Sequence, residues 1–162
     1  MRHLLSLLAI VLIASLSLPA LAGDLPYDER ANAAEDIHRA MQSAHQAHKD
    51  VLLVFGANWC PDCRALDLAL HAKDGAAIGQ RFVVVKIDVG NFDRNLDLAR
   101  RYQVPLRKGI PAAAVLGEDE SLRYVTRSGE LANARSMGDV AIADFLSRID
   151  GDPAAGAVAS KR

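Results

Sequence analysis

Apolar residues recur at helical spacing between Asp28 and His48. Ala34, Ile37, Met41 and Ala44 form one stripe, which predicts an amphipathic helix. Val51 to Phe55 (VLLVF) is then apolar without interruption over a strand's length, the pattern of a strand buried on both faces. Gly56 to Trp59 reads as a turn. A second helix is predicted to start near Pro61 and run towards His71, with Lys73-Asp74-Gly75 ending it. Proline suits the first helical position, because its missing N–H would have had no intrahelical partner. Phe82 to Asp88 (FVVVKID) reads as a second buried strand, so Val51 to Asp88 forms a strand–helix–strand unit. Its crossover is long enough for a parallel, right-handed connection.

Further on, Asn95 to Tyr102 reads as a short helix. Pro111 to Leu116 and Leu122 to Thr126 read as strands, joined through the polar Gly117-Glu118-Asp119-Glu120 as a hairpin. Asp139 to Ile149 is a last amphipathic helix, with Asp139 predicted as its N-cap. The order α-β-α-β-α-β-β-α predicts an α/β fold, a mixed central sheet with helices on both faces.

The two ends follow other rules. Met1-Arg2-His3 is a short basic start, Leu4 to Leu18 is apolar and uncharged, Pro19 breaks the run, and Ala20-Leu21-Ala22 offers small residues at a cleavage site. Residues 1–22 thus read as a secretory signal peptide, cut between Ala22 and Gly23. The alternative is an uncleaved membrane anchor, for which the run is short against the roughly 20 apolar residues a span requires. Residues 23–150 make one domain, and 151–162 (GDPAAGAVASKR) lack periodicity and read as a disordered tail. The net charge of -1 and the lack of any run of five basic residues give no sign of a nucleic-acid partner.

An exported domain stapled by disulfides would carry more cysteines, more widely spaced. This chain has two, Cys60 and Cys63, within Trp59-Cys60-Pro61-Asp62-Cys63. Cys60 falls where a helix begins. There, unpaired N–H groups and the helix dipole favour a thiolate, the nucleophile of disulfide exchange. Cys63 follows one turn later, close enough to close a small disulfide ring, and Pro61 is expected to stiffen the turn and keep Cys60 exposed. Half of a zinc site is the competing reading. It needs two more ligands, no other cysteine exists, and His38, His45 and His48 belong to the first helix, where their spacing suits a solvated face. No metal and no cofactor is expected.

VLLVFGANWCPDC, FVVVKIDV and KGIPAAAVL with its following hairpin together resemble the thioredoxin superfamily, over about 100 residues from Lys49 to Ile149. The likeness is greatest to single-domain thioredoxin-like proteins exported by bacteria. The resemblance implies a thioredoxin fold and an exported, periplasmic thiol–disulfide oxidoreductase. In that role Cys60 is the nucleophile and Cys63 the resolving thiol, and Trp59, Pro61, Ile110 and Pro111 form the substrate-binding rim. It also implies a cis bond at Ile110-Pro111, beside which a substrate peptide pairs by backbone hydrogen bonds. A trans proline that merely begins a strand is the alternative.

Where the family keeps a buried Asp before the motif this chain aligns Val54, and in place of its Lys partner it aligns Val84. That leaves Asp62 as the nearby carboxylate, a candidate proton acceptor for Cys63; the plainer reading is a solvated Asp at a helix start. A negative charge between the cysteines disfavours the Cys60 thiolate, and Ile110 before the proline resembles the reducing members. The expectation is therefore a monomeric protein-disulfide reductase. Its partners would be disulfide-containing exported proteins and a membrane electron donor that recharges it. A disulfide oxidase or isomerase is the alternative within the class, and a copper-handling thiol protein the alternative outside it.

Overall fold

The computed structural model describes residues 25–73 and 75–149; the expected signal peptide and C-terminal tail lie outside them. Four strands form one sheet in the order β2-β1-β3-β4. They are β1 (Asp50–Gly56), β2 (Phe82–Asp88), β3 (Ala112–Leu116) and β4 (Leu122–Val125). β1 pairs parallel to β2 and antiparallel to β3, and β3 and β4 are the expected hairpin. The helices are α1 (Ala33–Ala47), α2 (Pro61–His71), α3 (Ala76–Arg81), α4 (Leu96–Arg101), α5 (Ala134–Met137) and α6 (Asp139–Arg148), with a single 3-10 turn at Leu106–Lys108.

The unbroken apolar run of β1 has a direct cause. Successive side chains of a strand point to opposite faces, and both faces here are covered. Val51, Leu53 and Phe55 join the core beneath α1 and α4. Leu52 and Val54 join a second core with Leu66 and Ala69 of α2, Ile78 of α3, and Ile142 and Leu146 of α6. Three consecutive alanines, Ala112 to Ala114, continue the central layer into β3 and are fully covered.

Several boundaries differ from the sequence expectation. α1 begins at Ala33, because Asn32 caps it: its side chain accepts from the Glu35 N–H at 3.3 Å. Asp28 instead closes a turn with Arg30 N–H at 2.9 Å. The buried stripe consequently runs Ala33, Ile37, Ala40, Met41 and Ala44, and Ala34 faces solvent. β2 lies at the sheet edge, so Val83, Val84 and Lys86 are only half-buried, where a fully buried strand was expected. Gly138, at φ 77°, holds the cap position of α6, and Asp139 is the first helical residue, where its charge still complements the helix dipole. α3 and α5 are additional to the expected order. Each contributes a single buried side chain to its own helix, Ile78 and Ala134, too little for a periodic signal.

α2 carries the cysteine motif, and its seat on the sheet rests on Leu66. Leu66→Ala should lower the stability of the protein by about 2–5 kcal/mol in denaturant unfolding. Leu68→Ala, one turn face away and exposed, should stay within about 0.5 kcal/mol.

Candidate active site

β1 ends at Gly56, and the chain turns through Ala57 to Trp59 before α2 begins. Cys60 N–H donates to the Ala57 carbonyl at 3.1 Å, closing that turn. Cys60 is itself the N-cap of α2, in extended conformation (φ -80°, ψ 115°), and its Sγ accepts the Cys63 N–H at 3.1 Å. A sulfur thus occupies the place usually taken by a Ser or Asp oxygen at a helix N-terminus. Pro61 fills the first helical position. The two cysteines are joined as a disulfide with their Cα atoms 5.2 Å apart.

Neither sulfur-bearing residue is freely exposed. Cys63 is completely buried and Cys60 is 3% exposed, where the sequence reading expected an exposed Cys60 at the turn's tip. Exposure falls instead on the flanking residues. Pro61 is exposed, and Trp59 is 51% exposed, its Nε1 donating to the Gly90 carbonyl at 2.9 Å. Phe92, 42% exposed, stands edge-on to Trp59 with ring centroids 6.0 Å apart. Phe92 was not singled out from sequence. It adopts a left-handed backbone conformation (φ 64°) in the loop after β2, and an aromatic in a polar loop was the only available hint.

The Ile110-Pro111 bond is cis. Both residues are buried, and the Ile110 carbonyl lies 3.5 Å from Cys60 Sγ. The structure therefore brings Trp59, Cys60, Pro61, Cys63, Ile110 and Pro111 to one end of the sheet.

Asp62 has a defined position as well. Its Oδ1 accepts the Arg135 N–H at 3.0 Å, with Arg135 Nε 3.8 Å away, tying the start of α2 to α5. Arg135 is a contact that motif reading alone does not supply. Val54 is opposite Lys86 in the β1–β2 register, and Lys86 forms an ion pair with Asp67 of α2.

The electrostatics separate the two thiols in the reduced form. The Cys63 thiol hydrogen bonds to the Cys60 sulfur, and the N–H groups of Cys63 and Asp62 add to it. Together they outweigh burial and the Asp62 charge, and bring Cys60 down to about 7. Cys63 moves the other way, raised by its hydrogen bond to Cys60 and by burial. At neutral pH one thiolate forms, and it forms at Cys60.

Thiolates, not thiols, are alkylated. The iodoacetamide reactivity of the reduced protein should therefore rise through pH about 7. Cys63→Ala should move that rise to higher pH, and Asp62→Asn should move it lower, because each removes one named contribution.

The Thioredoxin-like family model matches residues 32–117. A structure described as a disulphide isomerase from Xylella fastidiosa Temecula1 is 52% identical, with a TM-score of 0.76, over 79% of this chain and 98% of that one. The germline-specific thioredoxin Deadhead (Thioredoxin-1) of Drosophila melanogaster is 23% identical with a TM-score of 0.47, over 64% of this chain and 90% of that one. The C-terminal domain of Neisseria meningitidis DsbD, in its oxidised form, is likewise 23% identical at a TM-score of 0.47, over 59% and 82% of the two chains. Among curated protein sequences nothing matches. With the motif seated as this geometry requires, the family match from α1 to β3 leads to one membership: the chain belongs to the thioredoxin-like family, as a disulfide oxidoreductase.

Proposed function

We propose that this protein is an exported disulfide reductase acting on other exported proteins. The observation that carries the direction is the Asp62 carboxylate between the cysteines, whose charge opposes the Cys60 thiolate. A protein whose reduced form is strongly stabilised is an oxidant, and the strong oxidant DsbA has its cysteine near 3.5, whereas thioredoxin's is near 7. Cys60 is lowered from the ordinary thiol range, with the Asp62 charge working against that lowering.

In this reading the Cys60 thiolate attacks a substrate disulfide and forms a mixed disulfide. The first substrate sulfur departs with the electron pair and takes a proton from solvent. Cys63 then attacks Cys60, releasing the second substrate sulfur and closing the Cys60–Cys63 bond. The substrate peptide lies along the backbone at Ile110-Pro111 as an added strand, against the exposed rings of Trp59 and Phe92. A membrane electron donor returns the pair to the dithiol, since the exported space is oxidising. The periplasm is the proposed location, and residues 1–22 the proposed export signal.

The Xylella protein's description favours isomerisation as a second reading. Isomerisation needs a nucleophile but no net transfer of electrons, so the two activities part at Cys63. Cys63→Ser should abolish net reduction of a disulfide substrate under the reductase reading. Retained rearrangement of a scrambled, multiply disulfide-bonded substrate by that variant, with weak net reduction by the parent protein, would favour the isomerase.

Two measurements test direction and location in the cell. Acid quenching followed by thiol alkylation should find most of the protein with Cys60 and Cys63 reduced. A predominantly oxidised pair would indicate an oxidase. The mass of the mature protein should place its N-terminus at Gly23; a full-length membrane-bound chain would contradict the cleaved signal.

A further inference from the structure

Cys63 is sealed from solvent, and its ionisation is disfavoured, yet exchange requires it to carry negative charge. In the forward direction it must attack Cys60. In the reverse direction it must depart from Cys60 with the electron pair. Within this family the strand before the motif offers an Asp to assist; here that position is Val54, buried and apolar. The polar group that reaches Cys63 comes from a different part of the chain.

Tyr27 lies ahead of α1 and before the residues that the family model matches. It is 2% exposed, and its ring enters the core shared with Cys60 and Cys63. The way in is opened by Gly56. A methyl group at Gly56 would collide first with the Tyr27 hydroxyl and would lie 2.9 Å from Cys63 Sγ. Hydroxyl and sulfur therefore crowd the same point, and the space they share exists because residue 56 has no side chain. The Tyr27 hydroxyl thus faces the Cys63 sulfur across the space left by Gly56, and its presence there works against the rise of the Cys63 thiol's pKa.

The segment around Tyr27 is fastened with unusual care. Asn58, two residues before Cys60, accepts the Tyr27 N–H at 3.0 Å and donates to the Tyr27 carbonyl at 2.8 Å. Its amide also donates to Glu29 Oε1 at 3.0 Å. Arg94 donates to the Glu29 carbonyl at 2.8 Å and to buried Asp88 at 3.2 Å. Two of the three buried polar side chains among the described residues, Asn58 and Asp88, thus serve to hold this strap.

We propose that Tyr27 is a catalytic residue of the exchange reaction, its hydroxyl donating a hydrogen bond to Cys63 Sγ whenever that sulfur carries negative charge. Burial and the neighbouring charges of Cys63, Cys60 and Asp67 hold the phenol well above its ordinary pKa, so it keeps its proton and acts as a donor, not as a base. In the resolving step the Cys63–Cys60 bond forms, and the Cys60–substrate bond breaks. The electron pair leaves with the substrate sulfur, and the Cys63 proton ends on that sulfur. In the reverse step an incoming thiolate bonds to Cys60, and Cys63 leaves with the electron pair of the broken Cys60–Cys63 bond. Tyr27 stabilises the same sulfur in both directions. The inference therefore depends on exchange at this pair and not on reductase against oxidase.

Tyr27→Phe keeps the ring and removes the hydroxyl. In single-turnover reactions of the full-chain protein with a disulfide peptide, followed by acid quenching, Cys60 attack should stay within about twofold of the parent. The Cys60–peptide mixed disulfide should persist about tenfold longer, the loss expected for one hydrogen bond to a charged partner. An unchanged mixed-disulfide lifetime would overturn the proposal, and so would equal slowing of both steps, which marks a structural role only. If Tyr27→Phe does not fold, protein carrying 3-fluorotyrosine, a stronger donor with the ring in place, decides. Its mixed disulfide should resolve faster than the parent's, and an unchanged or slower rate would overturn the proposal.

Discussion

The hydrogen bond from the Cys63 N–H to the Cys60 sulfur is the contact on which the rest of the site depends. It is a helix N-cap made by sulfur. One residue therefore ends the turn after β1, satisfies an otherwise orphan donor of α2, and becomes the reactive atom. The same geometry gives the thiolate its partial stabilisation, since the first N–H groups of α2 converge on it. Pro61 belongs at the next position because no donor is lost there. For the cap to hold, α2 must be fixed against the sheet, which Leu66 and Ala69 accomplish through the core beneath β1 and β3.

Around that cap, stabilising and opposing influences are set close together. The N–H groups and the Cys63 thiol lower Cys60, while burial and Asp62 raise it. Asp62 is not a loose surface charge, for its bond to the Arg135 N–H fixes it at the head of α2. Lys86 and Asp67 span from β2 to α2, and Tyr27 enters from the N-terminal side through the gap at Gly56.

Much of this was legible in the sequence, and the failures have physical causes. VLLVF and FVVVKID stood out because both faces of the first, and one end of the second, are buried. β2 was overrated because a run of valines reads alike at a sheet's centre and at its edge. The α1 stripe slipped by one residue, from Ala34 to Ala33, because alanines stand at both positions and only the Asn32 cap sets the phase. The cysteine motif announced itself through spacing, and the cis bond at Ile110-Pro111 through its place in the resembling stretch. Tyr27, Phe92 and Arg135 carried no such sign. Each reaches the site by tertiary contact from a distant segment, and no local period or spacing encodes that.

The balance at Cys60 converts most directly into a reduction potential, measured for the Cys60–Cys63 pair by equilibration against dithiothreitol and glutathione buffers. A thiolate only moderately stabilised and opposed by Asp62 predicts a value near or below about -220 mV, in the range of the glutaredoxins and thioredoxin. A value near about -120 mV, that of a strong periplasmic oxidant, would contradict the account. It would mean that the reduced pair is far more stable than its surroundings imply, and that electrons flow into this protein from its substrates.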